Sequence, residues 1–404
     1  MRIVQARDGG LARLRLAGGE LRAHAAHAVA HAAVKCGSGV IELTNRANLQ
    51  LRGIRADAHA ELVDIALNAG LGPHTEGGDD LRNVMLSPLA NDATRGLAAA
   101  IVTAMQGDAA LHALSPKFAL QLDGGERLAM LDHPHDLWLS ALDDGTRYAF
   151  GFAGSIPHSD SDSPALGSIA RGQVVDFVIA ALRAFVALAS NDEHRMRELL
   201  ARIGVTRFLA MLSFDPIDTA WRRAPANDAL RFGAHPMPDS ANGYIGAQTQ
   251  LGRLDAATLA ALADLASTYA QGRLLMTPWQ GVLMPDVMPR DTEHVLDRIN
   301  ALGLITRADH PLARLIACAG SPGCAKSRAD TKADTHRLAA LLPVHDDVHI
   351  SGCERSCAAA HPVVNTMIAV STGRYDLHVD ARLVAPNVSI EEAAAWLARS
   401  HADA

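Results

Sequence analysis

The 404-residue chain is short of several things, and each shortage removes a class of protein. It has no surplus of positive charge: 44 acidic residues against 37 Lys and Arg give a formal net charge of −7. A general nucleic-acid binder is usually basic. It has no long apolar run, since the longest, Val174 to Ala189, is interrupted by Asp176 and Arg183. That run is too short and too charged to span a bilayer. It has no signal-peptide core either, because Arg2, Arg7, Asp8, Arg13 and Arg15 cut the N-terminal segment. These absences lead us to expect a cytoplasmic monomer with neither a membrane nor a nucleic-acid partner. No G-x-G-x-x-G follows a strand, so there is no flavin or nicotinamide fingerprint. Electrons for any redox chemistry would come from an external donor. Aromatic residues are scarce, at 4%, while hydrophobic residues make up 49% and charged residues 20%. The chain therefore buries cores, which we expect to be mainly aliphatic. Its length suggests two to four domains.

Cysteine is scarce too, but its placement is informative. Of the five, Cys318, Cys324, Cys353 and Cys357 fall close together as C-x5-C and C-x3-C, and Cys36 stands apart as a buried thiol. A reducing compartment disfavours a disulfide framework. Two unrelated pairs of buried thiols are one reading. Zinc is another, but zinc knuckles favour spacers of two to four residues, and the five-residue spacer fits them poorly. A 4Fe–4S cluster takes four thiolates at varied spacing. The flanking sequences CAGSPGC and SGCERSC add Gly320, Pro322, Gly323 and Gly352. These let backbone bend around a bulky cofactor, with N–H groups available to its sulfurs.

The chain also repeats itself. Val40–Thr44 reads as a strand that ends in Thr, and so does Arg273–Thr277. Arg82–Pro88 resembles Arg314–Pro322, and Pro116–Leu122 pairs with Val348–Glu354, all at nearly the same offset and in the same order. Three such matches argue for an internal duplication. The alignment places Cys318 opposite Leu86, so only the C-terminal copy holds the cysteines. Helices are expected over 18–35, 54–70, 255–271 (Asp255 as N-cap), 325–342 and as a pair over 171–203. The Gly/Pro/Ser-rich stretch 154–169 reads as a surface loop or lid, and 233–245 as the joint between the halves.

CAGSPGC with HISGCERSCAAAHP resembles the cluster motif of the sulfite and nitrite reductase superfamily, and Thr44-Asn-Arg-Ala-Asn-Leu-Gln-Leu-Arg-Gly53 is similar to its first-half signature. Within it, SGC-x3-CA followed by His361-Pro362, and TPWQG at 277–281, look like the precorrin-3B synthase family. The resemblance implies an α+β, internally duplicated sulfite/nitrite reductase-like fold. Two ferredoxin-like half-domains (1–75 and 233–300) would alternate with two larger α/β half-domains (76–232, without a cluster, and 301–404, holding the 4Fe–4S cluster on Cys318, Cys324, Cys353 and Cys357).

It also implies an activity: O2-dependent oxidation of precorrin-3A by hydroxylation and γ-lactone formation, in aerobic cobalamin biosynthesis. The alternative is a sirohaem-dependent sulfite or nitrite reductase. In the first case the resemblance implies a mononuclear non-haem iron in place of sirohaem. A polycarboxylate tetrapyrrole needs cations. Arg46, Arg52, Arg82 and Lys117 are the candidate substrate-binding residues, expected to face the cluster. Ala119 stands where the resemblance leads us to expect a second lysine, which disfavours reduction of a small anion. His24, His27 and His31 share one helix face, and His349 and His361 bracket the second cysteine pair.

Overall fold

The computed structural model describes the chain except residues 74, 143, 144, 218, 219, 239, 343–346, 403 and 404, and the side chains of 400–402. It has a duplicated α+β fold, built among the described residues on four five-stranded sheets. Among the described residues no helix is long and apolar enough to cross a membrane. The chain forms two compact units, one of residues 1–14, 21–70 and 229–404, the other of 15–20 and 71–228.

The first unit holds three sheets. One orders Ile3–Ala6, Gly9–Leu14, Leu49–Ile54, Val40–Leu43 and Arg253–Asp255; the next orders Gly233–Pro236, Gly243–Gln248, Gly281–Val287, Arg273–Met276 and Glu20–Arg22. Each sheet thus takes its last strand from the other copy, an exchange that a contiguous reading of half-domains does not anticipate. Backbone bonds tie the exchange down: Leu43 N–H donates to Gly252 O at 2.8 Å and Ala23 N–H to Gly272 O at 2.9 Å. The expected joint at 233–245 is itself strand, apart from its central turn, and residue 239 lies outside the described residues.

The duplication extends to single hydrogen bonds. In the first copy, Thr44 N–H donates to Asn48 O at 2.9 Å and Ala47 N–H to Thr44 O at 3.1 Å. In the second, Thr277 N–H donates to Gly281 O at 2.9 Å and Gln280 N–H to Thr277 O at 3.1 Å. Ala47 and Gln280 both take positive φ, 55° and 59°. Helices Ala23–Cys36 and Ala256–Tyr269 pack through small and aliphatic residues, and Asp255 caps the second by accepting from Thr258 N–H. His24, His27 and His31 lie on the exposed side of the first, with His27 Nε2 3.1 Å from Asp264. Cys36 is fully buried, and burial pushes its thiol up.

The two remaining sheets are copies of one plan. In each unit two parallel pairs are followed by two antiparallel ones: Val84–Leu86, Leu120–Asp123, His135–Ala141, Arg147–Gly154 and Gly167–Ala170 in one, Leu315–Ala317, Val348–Ser351, Asn365–Ser371, Arg374–Val379 and Arg382–Val388 in the other. The paired registers Leu86↔Leu122 and Ala317↔Ile350 correct the sequence alignment. Leu120, not Pro116, is the counterpart of Val348, and Cys318 falls opposite Ser87 rather than Leu86. Short aliphatic strands slide easily in an alignment because one turn residue more or less leaves their pattern intact.

The aliphatic expectation fails in one place. The sheet that starts at Val84 is covered by helices Asp92–Gly107 and Val174–Leu188, and its core gathers Phe118, Phe150, Phe152, Phe177, Phe185 and Phe208. Phe150 and Phe177 stand with ring centroids 4.6 Å apart. The sheet that starts at Leu315 keeps an aliphatic core with Tyr375. The 171–203 pair appears as Val174–Leu188 and Met196–Ile203, and the 325–342 helix is confined to Thr331–Ala339. Stretch 155–166 is loop, followed by a strand at Gly167–Ala170.

Candidate functional site

Strands Leu315–Ala317 and Val348–Ser351 run parallel, so both end at the same sheet edge. Ligands in open sheets gather beyond the carboxyl ends of parallel strands. Cys318 is the first residue past one strand, and Cys353 follows the other by two. Cys324 arrives after one helical turn, Gly320–Gly323, and its N–H donates to Gly320 O at 2.9 Å. Cys357 closes a turn in which Ser356 takes φ 47° and Ser351 Oγ donates to Cys353 O at 2.7 Å. Gly352 N–H donates to Cys318 Sγ at 3.2 Å, joining the two cysteine loops. Thr331 Oγ1 donates to Cys318 O at 2.9 Å and lies 3.4 Å from its sulfur.

The glycines are needed where they stand. A Cβ on Gly352 would come within 1.8 Å of Ser327 Oγ, and one on Gly323 within 2.3 Å of the Arg52 guanidinium. Gly320 takes φ +73°, in the left-handed region. Crowding of protein atoms, then Cys353, Cys318 and Cys324, push the Cys357 thiol up. No three His, Cys, Asp or Glu side chains among the described residues form a site for one metal ion. A zinc would draw four sulfurs to about 3.8 Å of one another. Four cysteines, glycine turns and an N–H···S bond fit a 4Fe–4S cluster, which Cys318, Cys324, Cys353 and Cys357 would hold. The expected mononuclear iron finds no such three-ligand set among the described residues.

The first ferredoxin-like half clamps these loops. Arg52, 4% exposed, donates from one nitrogen to Gly323 O at 2.6 Å, the carbonyl before Cys324. Its other donors hold Asp8 at 2.8 and 3.0 Å and Glu42 at 2.9 Å. Arg253, from the exchanged strand, reaches the same Glu42 at 2.9 Å. Asn45 donates to Cys357 O at 3.3 Å and Ala358 O at 3.2 Å. Lys332, buried on helix Thr331–Ala339, donates to Leu251 O at 2.5 Å and Ala317 O at 3.4 Å. Burial alone would raise Glu42, but Lys332, Arg52 and Arg253 outweigh it and hold the carboxyl below its ordinary range. Burial pulls Lys332 down to about 8.

The four basic candidates therefore part company. Arg52 is a buried strut of the cysteine loops and not an open ligand for substrate. Arg82 is likewise buried: it donates to Gly72 O and Arg15 O, and to Leu71 O at 2.7 Å. Both depart from the expected cationic wall, because backbone carbonyls and carboxylates already surround their guanidinium groups. Arg46 is half-buried in the Thr44–Asn48 turn, and Lys117 is exposed in the turn before Leu120–Asp123. Ala119 is 1% exposed, its N–H held by Asp136 Oδ2 at 2.9 Å. His349 is buried on the Val348–Ser351 strand, where burial and then His361 push it down to about 4. Sequence reasoning missed Asn45, Glu42, Asp8 and Lys332. Asn45 lay inside the quoted signature, whereas nothing in the spacing marked the other three.

Duplicated ferredoxin-like sheets and a four-cysteine edge define a redox protein built to carry an iron–sulfur cluster. The family described as "Nitrite/Sulfite reductase ferredoxin-like half domain" matches residues 4–69 and 235–302, and "Nitrite and sulphite reductase 4Fe-4S domain" matches 77–215. Together these cover about two-thirds of the chain, which belongs to the sulfite/nitrite reductase superfamily of oxidoreductases. The chain is 28% identical to the ferredoxin–nitrite reductase of Synechococcus elongatus, over 86% of this chain and 73% of that one. It is 25% identical to a precorrin-3B synthase of Sinorhizobium, over 92% and 79%. It spans 62% of the length of the maize chloroplast ferredoxin–nitrite reductase. The structure of the Mycobacterium tuberculosis NirA protein shares the fold, with TM-score 0.79 at 20% identity, over 98% of this chain and 80% of that one.

Proposed function

We propose that the protein catalyses the O2-dependent oxidation of precorrin-3A to its hydroxylated γ-lactone, precorrin-3B. One observation carries the choice over anion reduction. Of the cations that the resemblance assigns to binding a small reacting anion, one is replaced by the buried Ala119 and another, Arg82, is sealed among three carbonyls. Anion reduction depends on cations placed in a dry site. A tetrapyrrole presents its carboxylates at the rim of a large ring, where fewer cations suffice. Arg46, in the unit that carries the four cysteines, is the residue proposed to hold one of them.

A bound cluster supplies one-electron transfer from an external donor. Monooxygenation balances with two electrons and two protons, one oxygen atom entering the macrocycle and the other leaving as water. Lactone closure joins a carboxylate of the substrate to its own ring and needs little beyond orientation. The protein's part is to hold the cluster loops rigid through Arg52 and Asn45 and to orient the substrate. Similarity to nitrite reductases favours a second reading, sirohaem-dependent reduction of nitrite or sulfite.

Cluster-replete protein given precorrin-3A, a reductant and labelled O2 should form a lactone carrying one labelled oxygen. It should reduce nitrite and sulfite negligibly. Strong red-region absorption from bound sirohaem, with robust nitrite or sulfite reduction, would overturn the first reading and establish the second.

A further inference from the structure

We infer that Lys332 is a positioning residue for the cluster, and that its buried charge raises the cluster's reduction potential. This rests on the assignment of a 4Fe–4S cluster to Cys318, Cys324, Cys353 and Cys357. Lys332 is 8% exposed, and its ammonium donates to two neutral carbonyls, Leu251 O and Ala317 O. The second belongs to the residue before Cys318. Thr331, its neighbour, bonds the Cys318 carbonyl. The first turn of helix Thr331–Ala339, capped by Asp330, thus holds Cys318 by side chain and backbone together.

The charges around Lys332 are Arg52, Arg253, Glu42 and, through Arg52, Asp8. Asp330 and Asp334 belong to the same helical turn, Asp330 capping it and Asp334 accepting from Tyr375 Oη at 2.6 Å. Glu42 and Asp8 are hydrogen-bonded to the arginines, whereas the Lys332 ammonium donates to neutral carbonyls. Reduction adds an electron to a cluster that already carries four thiolates. A fixed cation in a region of low dielectric favours the reduced form, and it is screened far less than a surface charge would be. Neutralising Lys332 should therefore lower the potential, whereas neutralising Glu42 should raise it. A residue that merely supports the loop would not give opposite signs.

The test is a dye-mediated redox titration, followed by bleaching of the visible band, on the full chain and on K332Q, K332R and E42Q. Iron and sulfide are measured on each. The expected results are a shift to lower potential in K332Q, at least tenfold in the reduced-to-oxidised ratio at fixed ambient potential (about 59 mV for one electron), a potential near wild type in K332R, and a shift upward in E42Q. Wild-type protein without iron and sulfide would overturn the cluster assignment itself. A loaded K332Q with unchanged potential would overturn the inference and leave that assignment standing. Loss of the cluster from K332Q and K332R alike would assign Lys332 to loop architecture alone and equally overturn the tuning role.

Discussion

The two copies of the larger half-domain share strand order and register, yet their carboxyl edges are filled in opposite ways. Where the second copy has Cys318, Ser351 and Cys353, the first has Ser87, Asp123 and Gly125. In the second, four thiols and a glycine-rich backbone leave the edge to a cofactor. In the first, the chain closes the edge with its own charges. Asp123, 1% exposed, accepts from Ser140 Oγ and from Arg223 Nε, the latter at 2.9 Å. Arg223 also donates to Glu126 O at 2.6 Å, and Ser87 Oγ to Leu128 O at 2.6 Å. The segment that carries Arg223 folds back over the edge, its N–H donating to Pro157 O at 2.7 Å. The scaffold is indifferent to cofactor; a few residues at the strand ends decide whether the edge holds a cluster or an ion pair.

The sharpest way to separate the copies is to remove one thiol. Cys353→Ser should reduce iron and sulfide to below about a tenth of wild type and abolish the proposed oxidation of precorrin-3A, since a cluster on three thiolates is poorly held. Unfolding seen through Trp138 and Trp221, which belong to the other unit, should keep its midpoint. Retention of a full cluster would break the assignment of the edge.

The converse cut removes Arg223. Arg223→Ala leaves Asp123 buried without its cation, and losing one partner of a buried pair typically costs about 3–5 kcal/mol. Denaturant unfolding of the 71–228 unit should shift by that much, while iron content in the other unit stays near wild type. A shift below about 1 kcal/mol would show that the edge is not held by its ion pair.

The duplication was legible because hairpin chemistry is local: Thr44 and Thr277 close the same turn with the same bonds. The grouping of the four cysteines was legible because each glycine-flanked pair follows one of two parallel strands that end at the same edge. The strand exchange was not, since Arg253–Asp255 and Glu20–Arg22 are three-residue strands whose partners lie far along the chain. The roles of Arg52 and Arg82 were misread for a related reason. A sequence shows that an arginine exists, but not whether carbonyls such as Gly323 O or Leu71 O already surround it.

The smallest expected effect refines the cofactor-free edge. Glu126 Oε2 accepts from Gly124 N–H at 3.0 Å, and among the described residues no hydrogen-bond partner is found for its buried Oε1. Burial, followed by the neighbouring Asp123, pushes the carboxyl up from 4.5 to about 7, with Arg223 opposing only in part. A carboxyl whose folded value lies above its unfolded one favours the fold while protonated. Its contribution is fully present below pH 4.5 and is lost as pH rises through about 7. Glu126→Gln mimics the protonated acid at every pH. The 71–228 unit of wild type should match the variant near pH 4.5 and fall below it by up to about 3 kcal/mol well above pH 7. Unfolding measured across that range through Trp138 and Trp221 checks the sign. A wild type that gains on the variant as pH rises would mean that Arg223, and not burial, governs Glu126, and that the edge holds two charged carboxylates.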